Sequence, residues 1–191
     1  MKCAYCNTHL CYSEGLNCVG IDNSDEIMGN ENMLVASTIE AEFYSERNRL
    51  EELIIFCNRR NFRKLGIAFC IGLAYEAQIL HRILESKGFE VYSVCCKVGG
   101  VSKGDVGVIN IHDDRFESIC NPPLQAELLN DRNTDLNILV GLCIGHDIEF
   151  TAKSTAPVTT FIVKDRVLAH NPVGALYSRY IRNRIDKGDY K

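Results

Sequence analysis

Leu136-Asn-Ile-Leu-Val-Gly-Leu-Cys-Ile-Gly-His-Asp147 is an apolar run that reaches a cysteine and passes at once to Ile-Gly and two titratable groups. A near copy stands earlier in the chain, Leu65-Gly-Ile-Ala-Phe-Cys-Ile-Gly-Leu-Ala74. Each reads as a short buried strand with a thiol at its carboxyl end and a glycine where a helix starts. A third apolar run, Glu90 to Cys96, also ends on cysteine, this time a pair. In an open parallel sheet the carboxyl ends of the strands line one edge, where ligands bind. Three strands that each deliver a thiol to that edge are building a site.

Outward from these runs, strands and helices alternate. Lys64 to Cys70 reads as the first strand, and Leu73, Ala77, Leu80 and Leu84 mark an amphipathic helix that stops at Lys87-Gly88. Phe89 to Cys96 is the second strand. A glycine-rich loop with two lysines follows, Lys97 to Asp105, and Val106 to Ile111 reads as a short extra strand. Cys120-Asn-Pro-Pro opens the next helix, with Asn121 at the N-cap and Pro122 at the first helical position. Leu136 to Cys143 is the third strand and Gly145 to Lys153 a helix. Pro157 to Val163 is a β-branched fourth strand, and Asn171-Pro172 starts one last helix through Leu176, Tyr180 and Ile181. This order predicts a three-layer α/β fold, a mainly parallel sheet with flanking helices.

Upstream, Asp22 to Asn32 is polar and reads as a linker. From Met33 apolar residues recur at helical spacing, which predicts one long helix or two that break near Arg47-Asn48. Cys57 falls on the apolar stripe and reads as a core thiol. The expected organisation is a cysteine-rich knuckle over 1–21, a linker with helices packing on the core over 22–63, and the α/β domain over 64–191.

The chain has 191 residues, 46% apolar and 24% charged, with a net charge of −4. That length carries one good core, and the acidic balance argues against nucleic acid or an anionic membrane as partner. No apolar run is long enough to span a bilayer and no signal pattern opens the chain, so the expected location is cytoplasmic. Ten cysteines are unusual there. A disulfide scaffold belongs to small, exported, loop-rich chains, whereas clustered thiols in a reducing cytosol are more often metal ligands or catalysts.

Cys3, Cys6, Cys11 and Cys18 follow the pattern C-x2-C-x4-C-x6-C, with too few apolar residues between them to fold otherwise. A C-x2-C turn sets two thiolates on one ion, and two more complete a tetrahedral zinc site or the corners of an iron–sulfur cluster. The blander reading is four unconnected free thiols. At the sheet edge the topology gathers Cys70, Cys95 or Cys96, Cys120 and Cys143. Alternation along a strand sends Cys95 and Cys96 to opposite faces, and Cys96, nearer the loop, is favoured. Helix N-termini at that edge stabilise thiolates or anions. The blander reading here is small hydrophobes beneath the helices. His146, Asp147 and His170 are the candidates for proton transfer, although Asp147 also suits a helix start. Lys97 and Lys103 are the candidates for holding an anionic group.

Cys-x2-Cys at the start, Cys96-Lys-Val-Gly-Gly, Cys120-Asn-Pro with Gln125-Ala126, Gly141-Leu-Cys-Ile-Gly-His-Asp147 and His170-Asn-Pro172 together resemble a widespread prokaryotic family. It is catalogued as a domain of unknown function and labelled "metal-binding protein". The resemblance covers nearly the whole chain and implies metal binding by cysteines, with no reaction attached. The expected function is a metal-binding protein, zinc or iron–sulfur, acting on a small molecule at the sheet edge. A non-enzymatic metal carrier, sensor or interaction module and a metal-free thiol enzyme using Cys96 or Cys143 are the alternatives. Oligomeric state is not legible.

Overall fold

The computed structural model of the chain describes residues 1–190. It divides into two units, one ending at Tyr44 and one beginning at Ser45, and each is taken by itself.

In the first unit a 3-10 turn, Cys3–Tyr5, precedes helices α1 (Leu10–Ser13), α2 (Ser24–Met28) and α3 (Glu31–Phe43). The stretch expected as a linker therefore holds a helix. The Asp22 carboxylate accepts the Ser24 N–H at 3.0 Å, an Asx turn that starts α2, and Asp25 and Glu26 then sit at the positive end of the helix. The Asn30 side chain caps α3 by accepting from Met33 N at 3.2 Å.

The second unit opens with α4 (Arg49–Arg59), which starts where it does because Asn48 and Glu51 form a capping box. There follow β1 (Lys64–Phe69), a 3-10 turn at Ile71–Leu73, α5 (Ala74–Ser86), β2 (Glu90–Cys95), α6 (Pro122–Asn130), β3 (Leu136–Val140), α7 (His146–Lys153) and β4 (Val158–Ile162). Two further helices close the chain, α8 (Val173–Tyr177) and α9 (Arg179–Asp186). A single last helix was the expectation. Ser178 instead takes an extended conformation, and its hydroxyl caps α9 by accepting from Ile181 N at 3.3 Å.

The four strands form one parallel sheet in the order β2-β1-β3-β4. The connection from β1 runs outward to β2, and the next strand returns to the other side of β1. The direction in which strands are added therefore reverses between β1 and β3, and such a reversal opens a crevice at the carboxyl ends. Alternation then builds two cores. Leu65 and Ile67 of β1 with Leu136, Ile138 and Val140 of β3 pack against Leu53 and Cys57 of α4 and Ala77, Leu80 and Leu84 of α5. Ala68 and Leu139 pack on the opposite face against Ala126 and Leu129 of α6 and Phe150 of α7. Helices thus cover both faces, as the all-buried strand β3 requires.

Two glycines are needed for this packing. A Cβ on Gly66 would meet the Asn137 side-chain oxygen at 2.0 Å, and one on Gly141 would meet a Leu73 methyl at 2.0 Å. Gly141 also has φ +65°, where a side chain is strained. Asn137 is fully buried yet satisfied, accepting from Thr134 Oγ1 at 2.9 Å and donating to Ser154 Oγ at 2.8 Å. At the sheet's other margin, Arg49 lays its guanidinium on the outermost strand and donates to the Thr160 carbonyl at 3.0 and 2.7 Å. Among the described residues, no helix is long and apolar enough to cross a membrane.

Candidate functional site

Register alone brings the first two thiols together. Phe69 pairs with Cys95 across β1 and β2, so the next step of the ladder sets Cys70 beside Cys96. The Cys96 N–H donates to the Phe69 carbonyl at 2.8 Å and extends that ladder. Both residues keep the phase of Ala68 and Val94, and both belong to the core beneath α6 and α7. Cys96 is 1% exposed and Cys70 8%. The Ile71 N–H points at Cys96 Sγ at 3.4 Å. Cys95 is half-buried, and its sulfur accepts from the Lys97 amide at 3.5 Å.

The third thiol returns through a long loop. Val106–Ile111 is not a strand; a short 3-10 turn at Gly104–Val106 begins it, and Gly107 turns the chain with φ +71°. The loop is closed by its own antiparallel clamp. Lys103 N donates to Glu117 O at 2.9 Å, Ile119 N donates to Val101 O at 2.8 Å, and Ser102 bridges Ser118. Lys103 forms an ion pair with Glu117 at 2.5 Å, and that carboxylate also accepts from Ile111 N and His112 N. These partners, the Lys103 ammonium first, hold Glu117 down to about 2. The ammonium of Lys103 therefore closes the loop. Asn121 N then donates to Cys96 O at 2.8 Å, and the Asn121 side chain caps α6 by accepting from Leu124 N. The result is a Cys120 Sγ only 3.7 Å from Cys96 Sγ.

Cations surround this row of three sulfurs. Lys164, just past β4, sets its ammonium 3.4 Å from Cys70 Sγ. Lys97 donates to the Ser118 carbonyl at 2.6 Å and lies against the Cys120 thiol. Cys70 is held below the ordinary thiol range by the Cys96 thiol first, then by the Gly72 amide and Lys164, which together outweigh burial. Cys120 is lowered by Cys96 first, then by Lys97 and by the charge of His146. Cys96 is pushed up by Cys120, by Cys70 and by its own burial. The middle sulfur keeps its proton while the outer two are the better thiolates.

Cys143 does not end a strand. β3 stops at Val140, and Cys143 lies in the turn before α7, where its carbonyl accepts from His146 N and Asp147 N. Its sulfur contacts Arg166 Nη2 at 2.8 Å, so the structure gathers Cys70, Cys96 and Cys120 and gives the fourth thiol a guanidinium partner. His146 opens α7, close enough for its charge to act on Cys120. Asp147 turns its carboxylate back on Ile148 N at 2.9 Å. His170 has φ +63° and accepts from Asp165 N through Nδ1 at 3.1 Å. A separate cleft of about 420 Å³ lies on the opposite face beside α5, lined by Gln78, His81, Arg82 and Glu85 among others.

In the first unit Cys3, Cys6, Cys11 and Cys18 are exposed free thiols. Cys3 and Cys6 share one turn, closed by Cys6 N donating to Cys3 O at 3.0 Å. The Cys6 sulfur accepts from His9 N at 3.4 Å, and this bond first, then Thr8, lowers its pKa. Among the described residues, no three His, Cys, Asp or Glu side chains are drawn around one point as ligands of an ion.

Lys164 and Arg166 were not singled out from the sequence. The signal was available: Lys164-Asp-Arg166 follows the fourth strand at its carboxyl end, the same position that singled out the cysteines.

Residues 16–161 match a family described as "Protein of unknown function (DUF1847)". An uncharacterised protein of Methanocaldococcus jannaschii is 51% identical over 194 residues, which cover 98% of this chain and 100% of that protein. No solved structure matches.

Proposed function

The chain belongs to the DUF1847 family, whose description carries no reaction, and from its own side chains we propose a cysteine-ligated metal protein, zinc or iron–sulfur. The working centre in this reading is Cys70, Cys96 and Cys120 at the reversal between β1 and β3. Cys143 is the fourth candidate ligand, and Cys3, Cys6, Cys11 and Cys18 are a second, N-terminal set.

The observation that carries it is the Cys96–Cys120 separation of 3.7 Å. Two thiolates bound to one tetrahedral ion at about 2.3 Å stand about 3.8 Å apart. The donor set also fits, since soft thiolates select zinc or iron–sulfur centres. A centre held by three protein thiolates keeps an open position, which when bound would supply a Lewis-acid or redox function to a small molecule at the edge. Around it the chain's own groups have separable tasks. The Ile71 and Gly72 amides and Lys164 steady negative sulfur. His146 stands where it can take or give a proton. Asp147 and His170 support the turns that carry His146 and Lys164.

The test is purification without oxygen, with iron, acid-labile sulfide and zinc measured beside an absorption spectrum. Metal that falls away in Cys70→Ala and Cys120→Ala, and persists in Cys57→Ala, is the expected result. No bound metal after purification without oxygen would end the reading. A second reading, a metal-free thiol enzyme, draws on Cys143 beside Arg166 at 2.8 Å, because a guanidinium favours the thiolate nucleophile.

A further inference from the structure

We propose that Lys97, Lys164 and Arg166 form a receiving rim for a small oxyanion-bearing molecule, a carboxylate or a phosphate, at the thiol edge. The inference rests on the reading of Cys70, Cys96 and Cys120 as the working centre and names the substrate class for that site.

The three cations come from two loops. Lys97 leaves β2, while Lys164 and Arg166 leave β4, so they approach the β1/β3 reversal from both sides. Lys164 is built into place. Its ammonium stands 3.4 Å from where a Cβ on Gly72 would be, and its Cδ 3.6 Å from the same point on Gly141. The side chain threads between the two glycine turns that follow β1 and β3, and it ends at Cys70 Sγ at 3.4 Å. Arg166 is anchored through one Nη2 contact to Cys143 at 2.8 Å. Among the described residues this is its one side-chain hydrogen bond, which leaves most of its planar fork of donors for a ligand.

Charge bookkeeping sharpens the point. The chain carries 25 acidic residues against 21 basic ones, yet among the described residues none of these three cations is ion-paired with a carboxylate. The nearest carboxylate in sequence, Asp165, accepts from Val167 N and Leu168 N and so fixes its own turn. Lys103 is the contrast, closed on Glu117. Three thiolates on one divalent ion leave a single net negative charge against three fixed cations, so the edge stays positive and asks for an anion. A guanidinium beside an ammonium favours oxyanions, the first by a bidentate fork and the second as a point charge.

The experiment titrates anaerobically purified protein with inorganic phosphate and, separately, with malonate, at constant ionic strength, by calorimetry. Metal content is measured on the same samples. Saturable binding of one of them is expected, and the stronger arm distinguishes phosphate from carboxylate. Lys164→Gln and Arg166→Gln should each weaken it about tenfold, Arg166→Lys less, and Lys103→Gln not at all. Binding that weakens equally in Lys103→Gln would be diffuse attraction and would overturn the rim. So would full metal content with no saturable binding of either probe. Missing metal with the same ranking of variants would sink the metal reading and leave the rim standing.

Discussion

The two units carry four cysteines each that were read as ligands, and they present them in opposite ways. Cys3, Cys6, Cys11 and Cys18 lie close in sequence and are all exposed. Cys70, Cys96, Cys120 and Cys143 span more than seventy positions, and the first three are brought together by strand register and a clamped loop. Local spacing writes a metal pattern openly but builds little structure around it. The distant set has no close ligand spacing and is read only through its strands, yet a folded core holds it ready. The N-terminal set should therefore depend on what it binds, whereas the sheet-edge set should survive the loss of its ligand.

The hardest break in this contrast is at Gly141. Gly141→Ala forces a Cβ against Leu73 in a left-handed conformation and should cost the unit beginning at Ser45 about 3–5 kcal/mol, read as a lower urea midpoint. Replacing all four N-terminal cysteines by Ser should leave that midpoint where it was. An equal fall in both would mean the core depends on the N-terminal thiols.

Next in size is metal content. Cys3→Ser with Cys6→Ser should remove the N-terminal share of bound metal and open residues 1–21 to protease, with the sheet-edge share retained. Chelation should do the same without unfolding the core. Unchanged metal in the double variant would erase the difference between the two sets.

Cys57 sets a third test, through pH. Burial first, and then the Asp135 charge, push its thiol up to about 12. The folded chain holds that proton where the unfolded chain loses it, so this contribution is complete below the ordinary thiol range near pH 9. It fades as pH rises through 12. Stability measured across this window should fall, and Cys57→Ala should flatten the fall while costing about 1 kcal/mol for the emptied space. In metal-free folded protein at pH 8, an alkylating agent should label the exposed N-terminal thiols and spare Cys57.

The smallest expected effect is at the loop clamp. Glu117→Gln should leave the melting temperature unchanged and speed proteolysis within 97–119, because this largely shielded pair ties the loop to itself and joins neither core cluster. A shift in melting temperature would show that the loop belongs to the core.

Much of this architecture was legible. The apolar runs ending on Cys70, Cys96 and Cys143 carried period and length enough to mark parallel strands, and Asn121-Pro122 marked its helix start to the residue. What escaped were features decided by single hydrogen bonds. A β-branched stretch at 106–111 reads as a strand, but the amides of Val106, Gly107 and Val108 go to the Lys103 and Gly104 carbonyls and that of Ile111 to the Glu117 carboxylate, not to a partner strand. Cys143 lies past its strand because Gly141 turns the chain first. Lys164 and Arg166 sit among ordinary surface charges in the sequence, and only the fold shows which thiols they meet. The N-terminal pattern is the reverse case: clear as spacing, with little in its surroundings to hold it.

Arg49 carries a consequence beyond its own helix. β4 is a margin of the sheet, and an open margin is a template on which the strand of another chain can grow. By taking the Thr160 carbonyl, and Thr159 Oγ1 at 3.0 Å, Arg49 puts a charged blade where a foreign strand would have to start. That guard keeps neighbouring copies from zipping together before each has closed its own core.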